Sequence, residues 1–102
     1  MEFLILGYDG SDAGATQRRL DARPAHLERM KAFVANGTIL YGAAILDDAG
    51  GMIGSSLVCD FATRADLDAW LDADPYSRGG VWKRIEVRRC RPGPGFERTA
   101  TA

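Results

Sequence analysis

The chain has little of what most catalytic or binding chemistries require. There is one histidine in 102 residues, His26, and there are two cysteines, Cys59 and Cys90, 31 positions apart. One imidazole and two distant thiols do not make a zinc-ligand set, and each cysteine falls in an apolar, strand-like stretch that reads as the place of a buried thiol. No metal site and no cofactor is expected. No apolar run approaches the ~20 residues of a membrane span, and the short apolar start, Met1 to Tyr8, lacks the basic residues of a signal peptide. The expected location is cytoplasmic, with no membrane partner. Net charge is nearly absent too: 13 basic against 14 acidic residues leave −1. That supplies no field for a polyanion, so nucleic acid is not an expected partner. The local basic run from Lys83 to Arg91 alternates with Ile85, Glu86, Val87 and Cys90 and reads as a solvated strand face.

What is present is one domain's worth of patterned apolar residues, 46% of the chain. Glu2 to Tyr8 reads as a strand stopped by Asp9, Gly10, Ser11 and Asp12. From about Ala15 to Asn36, Leu20, Leu27, Met30, Phe33 and Val34 recur at three-to-four spacing and predict a helix with one buried apolar face, ended by Gly37. Pro24 inside that span implies either a kink or a separate turn ahead of the main helix, and both place His26 near a helix start. Thr38 to Leu46 and Ile53 to Phe61 form a hairpin around the Gly-rich turn Asp47 to Met52. Thr63 with Asp66 resembles a capping box, Leu67, Trp70 and Leu71 form a second helical stripe, and Pro75 closes it. Val81 to Cys90 is the fourth strand. Residues 1–90 make the domain, and 91–102, entered through Pro92, Gly93, Pro94 and Gly95, read as a flexible tail.

The order β-α-β-β-α-β has one dominant compact solution, the α+β ferredoxin-like fold: a four-stranded antiparallel sheet in order 4-1-3-2 with both helices on one face. In a chain this short the sheet face left bare would be closed by a second copy, so a homodimer is expected. The same topology gathers Asp9 at the end of the first strand, His26, Gly54 and Ser55 at the start of the third strand, and Asp74, Pro75 and Tyr76 after the second helix. They converge on one end of the sheet, where a histidine, carboxylates and a hydroxyl suit acid/base chemistry on a small molecule.

At these residues the chain resembles the YciI-like (YCII-related) family. The resemblance spans roughly residues 2–90: Tyr8 and Asp9, the run from Arg23 to Leu27, Gly42, Gly54 and Ser55, and Asp74, Pro75 and Tyr76 followed by Gly80, Val81 and Trp82. Ala43 and Ala44 stand where the family commonly has a Gly-Pro-like step. The resemblance implies a dimeric α+β barrel with an active site built on a histidine and an aspartate, which correspond to His26 and Asp74. One relative is a dehydrochlorinase acting on a chlorinated hydroxyquinol, and similar folds host muconolactone isomerase. The expected function is therefore a small cofactor-independent lyase- or isomerase-like enzyme in which His26 moves a proton and Asp74 orients it; the alternative is a non-catalytic dimeric module that binds a small ligand or a protein.

Each residue also has a plainer reading. His26 suits a packing or capping role, Asp74 a helix stop before Pro75, Tyr76 a plug at the end of the helix layer, and Ser55 a strand-start pairing residue. Arg18, Arg19 and Arg23 read as a solvated face, with Arg23 the first choice to hold a carboxylate or phenolate. Asp9 either caps the following turn or completes the polar site.

Overall fold

The computed structural model describes residues 1–96. The expected tail thus lies, for residues 97–102, outside the described residues. Four strands, β1 (Glu2–Asp9), β2 (Ile39–Leu46), β3 (Met52–Asp60) and β4 (Trp82–Arg89), form one antiparallel sheet in the order β2-β3-β1-β4. Helices α1 (Ala15–Ala35), α2 (Arg64–Ala73) and the four-residue α3 (Pro75–Arg78) complete an α+β fold. The strand order is the ferredoxin-like one, with β3 and β1 inside and β2 and β4 at the edges.

Alternation along β1 turns Phe3, Ile5 and Gly7 toward the helices and Leu4, Leu6 and Tyr8 to the other face. On β3, Ser55, Leu57 and Cys59 share the helix side. There Phe3, Ile5, Leu57 and Cys59 pack with Leu67, Trp70 and Leu71 of α2, with Tyr76 of α3, and with Met30 and Phe33 of α1. Thr63 caps α2, its hydroxyl accepting from the Asp66 N–H at 3.1 Å. Gly37 stops α1 with φ +85°, a conformation costly for any residue with a Cβ.

Three expectations about helices need correction. α1 begins at Ala15 and runs without a break through Pro24, so His26 sits in its middle rather than near its start. The Leu20 carbonyl that Pro24 leaves without a helical donor lies on an exposed stretch where water can serve it. Second, Leu20, Leu27 and Val34 are not core residues; they are 49%, 42% and 56% exposed. The inward face is instead Ala15, Arg19, Ala22, His26 and Phe33, one step around the helix. Third, Pro75 does end α2 but also opens α3, where a proline's missing N–H costs nothing. Cys59 is fully buried as expected, whereas Cys90, beyond the last strand residue, is only partly so.

Candidate functional site

Asp74 lies between α2 and α3 and is fully buried. Its backbone is extended (φ −69°, ψ 139°), which lets it close α2 and cap α3 together. Three donors converge on its carboxylate. The Tyr76 N–H donates to Oδ2 at 3.0 Å, Arg29 Nη1 donates to Oδ1 at 2.9 Å, and His26 Nδ1 lies 2.8 Å from Oδ2. Since the carboxylate accepts on every side, Nδ1 carries the ring proton in this pair. Nε2 then faces away with no hydrogen bond among the described residues. The imidazole belongs to an aromatic triad: the Tyr76 ring stacks on it at 3.8 Å and 11°, and the Trp82 indole meets both rings edge-on, at 6.0 Å from His26 and 5.4 Å from Tyr76.

A second polar cluster adjoins the first. Arg19, expected on a solvated face, is 4% exposed. Its Nη1 donates to both Asp9 oxygens at 2.9 and 3.1 Å, its Nη2 to Ser55 Oγ at 2.9 Å, and its Cζ lies 4.7 Å over the Tyr76 ring. Trp82 Nε1 also donates to Ser55 Oγ, at 3.2 Å. Gly7 makes room for that indole, since a Cβ there would fall 2.6 Å from Nε1. Burial raises the Asp9 carboxyl above its usual range, opposed by the Arg19 charge, and burial likewise raises the Tyr76 phenol.

Between α1 and the β2 edge lies a cleft of about 280 Å³. Leu27, Met30 and Val34 form one wall, Ile39, Gly42 and Ala44 the other, and His26, Arg19, Arg23, Ser55 and Tyr76 its polar end. The exposed leucine and valine of α1 are therefore cleft residues. His26, Asp74 and Tyr76 touch directly, and Asp9 and Ser55 join them through Arg19. Arg23 is exposed, lines the cleft and forms no hydrogen bond or ion pair among the described residues. The sequence reading put Arg19 on a solvated face, gave Trp82 no site role beyond the family resemblance, and left Arg29 out. For the two arginines the signal was phase: once His26 faces inward, Arg19 and Arg29 lie on its side of the helix at three-to-four spacing. No group of three or more histidine, cysteine, aspartate or glutamate side chains suited to a metal occurs among the described residues.

Residues 1–91 match the model of the YCII-related domain. The chain belongs to the YCII-related family. YciI proteins of Escherichia coli O6:H1 and Shigella flexneri are each 33% identical over 94 residues, covering 86% of this chain and 94% of theirs. Among solved structures, the YCII-related chain is similar to TftG, the 5-chloro-2-hydroxyhydroquinone dehydrochlorinase of Burkholderia phenoliruptrix AC1100, in complex with 2,5-dihydroxybenzoquinone. The TM-score is 0.78 and the identity 28%, covering 91% of this chain and 96% of that one. The likeness in fold extends over nearly the whole of both chains, and the likeness to a dehydrochlorinase marks the protein as a small enzyme-like domain.

Proposed function

We propose that this protein is a cofactor-independent acid/base enzyme, lyase- or isomerase-like, acting on a small oxygenated ring compound. The observation that carries the reading is the His26–Asp74 pair: Nδ1 is fixed at 2.8 Å on a carboxylate, and Nε2, at the polar end of a cleft, has no hydrogen-bond partner among the described residues. In that arrangement a neutral imidazole has its lone pair at Nε2, ready to take a proton, and Asp74 both orients the ring and balances the cation that forms. Tyr76 keeps the ring flat from one side. Arg23 supplies charge for an acidic oxygen of the substrate, Ser55 contributes its hydroxyl, and Asp9 acts by holding Arg19. The apolar walls suit the faces of a single ring, and the dihydroxybenzoquinone held by TftG is of that size and chemistry.

The bare face of the sheet carries Leu4, Leu6, Tyr8, Val58 and Tyr41, the last 67% exposed, and we assign it to a second copy of this chain. An apolar centre flanked by both signs of charge, Arg84 and Glu86 of β4, can meet itself across a two-fold axis. The two unpaired thiols fit a reducing cytoplasm.

The test is turnover of chlorinated hydroxyhydroquinones, other hydroxyaromatics and lactones by wild type, His26→Ala and His26→Gln, with binding measured in parallel. Wild-type turnover lowered at least ~100-fold in both variants, with binding kept, supports the reading. Binding retained by the variants with no turnover by any of the three proteins overturns it in favour of a non-catalytic binding module.

A further inference from the structure

Resting on the reading of the cleft as a ligand site, we infer that Ser55 is an oxyanion-binding donor, its hydroxyl held so that only the proton is offered to the ligand. A serine hydroxyl has two lone pairs and one proton. Both lone pairs of Ser55 Oγ are taken, by Arg19 Nη2 at 2.9 Å and by Trp82 Nε1 at 3.2 Å. Guanidinium and indole nitrogens donate and never accept, so neither contact can reverse. With Cβ and these two donors at three corners of the oxygen, the O–H is left the fourth. No protein acceptor meets it among the described residues, and Ser55 stands in the cleft wall beside His26. An ordinary serine rotates to suit its ligand; this one is fixed as a donor.

The fixture is itself supported. Asp9 anchors Arg19 from behind, and Gly7 seats the Trp82 indole. Donation from a cation makes the hydroxyl a stronger donor in turn. The two carboxylates of the site are matched by Arg19 and Arg29, and Arg23 remains a cation on the same cleft with no ion pair among the described residues. With neutral His26 the site thus carries one excess positive charge, which suits an anionic or developing anionic oxygen.

The ligand class follows: a ring carrying a carbonyl, enolate or phenolate oxygen next to the carbon whose proton His26 handles. When Nε2 takes that proton, the C–H pair becomes a carbon–carbon π bond and the carbonyl π pair moves onto oxygen. The charge then appears where Ser55 donates. The same geometry argues against Ser55 as a nucleophile, because both of its lone pairs are committed.

Titration calorimetry with 2,5-dihydroxybenzoquinone, a vinylogous acid ionised at neutral pH, and with uncharged hydroquinone tests this on wild type, Ser55→Ala and Ser55→Thr. Ser55→Ala is expected to weaken the anionic probe by about 10- to 100-fold and hydroquinone by less than about 3-fold, and Ser55→Thr to restore binding. Independently of any ligand, the Trp82 indole N–H resonance should move in Ser55→Ala and stay in Ser55→Thr. An unmoved indole resonance, or anionic-probe binding undiminished in Ser55→Ala, overturns this proposal alone. Failure of wild type to bind either probe overturns the ligand reading and this proposal with it.

Discussion

Replacing Asp74 separates its two tasks, and the order of the losses is the prediction. Asp74→Ala removes an acceptor shared by three donors in a fully buried position: His26 at 2.8 Å, Arg29 at 2.9 Å and the Tyr76 N–H at 3.0 Å. Losing the cap of α3 costs about 1 kcal/mol. Leaving a partly buried guanidinium and a buried imidazole without their carboxylate costs about 3 kcal/mol more. Asp74→Ala should therefore lose about 4 kcal/mol, a large share of the ~5–15 kcal/mol that holds a domain together. Asp74→Asn should lose only about 2 kcal/mol, because its carbonyl can take the place of Oδ2 and keep both the His26 and the Tyr76 donors. Only Arg29 then loses its partner, and it retains the Trp70 carbonyl at 2.9 Å. Urea unfolding with unchanged m-value gives the two numbers. Arg29→Met should cost about 1–2 kcal/mol less in the Asp74→Ala background than in wild type. Because His26 is the chain's one histidine, its imidazole 15N spectrum needs no assignment: Nδ1–H persists in Asp74→Asn and is lost as the fixed tautomer in Asp74→Ala. Equal losses in the two variants, or less than about 1 kcal/mol for Asp74→Ala, would refute the shared-acceptor account.

Gly7→Ala places a Cβ 2.6 Å from Trp82 Nε1, so the indole must leave Ser55; a loss of about 2 kcal/mol with a shifted tryptophan emission is expected, and unchanged emission would contradict it. The Cys59 thiol is fully buried and burial pushes it up to about 12 from an ordinary 9, so the unfolded chain ionises first. Between those values the unfolded state binds fewer protons, and stability falls as pH rises, by ~1.4 kcal/mol per pH unit relative to Cys59→Ala; parallel alkaline unfolding curves for the two proteins would dismiss this.

The strands were legible because their apolar residues come in short runs whose stops are marked, as at Asp9-Gly10 and Gly50-Gly51, and in β4 they alternate with charge. The order of elements then limited the sheet to the observed arrangement. The pairing of His26 with Asp74 was expected from a helix-start placement and from the family resemblance, whereas His26 reaches Asp74 from the middle of α1. α1 was misread for a physical reason. Hydropathy counts apolar side chains, and the inward face of this helix carries Arg19, His26 and Arg29, whose charges are answered only by residues distant in sequence: Asp9, Asp74 and Ser55. Nothing within the helix announces those partners. Pro24 added to the error, since an exposed helix position tolerates a missing N–H that a buried one would not.

That conflict coincides with the proposed site. On apolar content alone, α1 would turn Leu20, Leu27 and Val34 inward; instead it sits one step around, with Arg19 and His26 buried and Arg29 turned to Trp70 of α2 and Asp74 at its end. Buried ion pairs seldom add stability over well-packed apolar side chains, so the preference is not explained by a gain in stability. What the polar register does secure is geometry. Three acceptors on separate elements fix the rotation of the helix, and the same rotation leaves Leu27 and Val34 to line a cleft beside His26 rather than fill it. A face that contradicts its own hydropathy, satisfied on nearly every side by distant partners and opening onto a cavity, is the kind of local conflict that supports the proposed site.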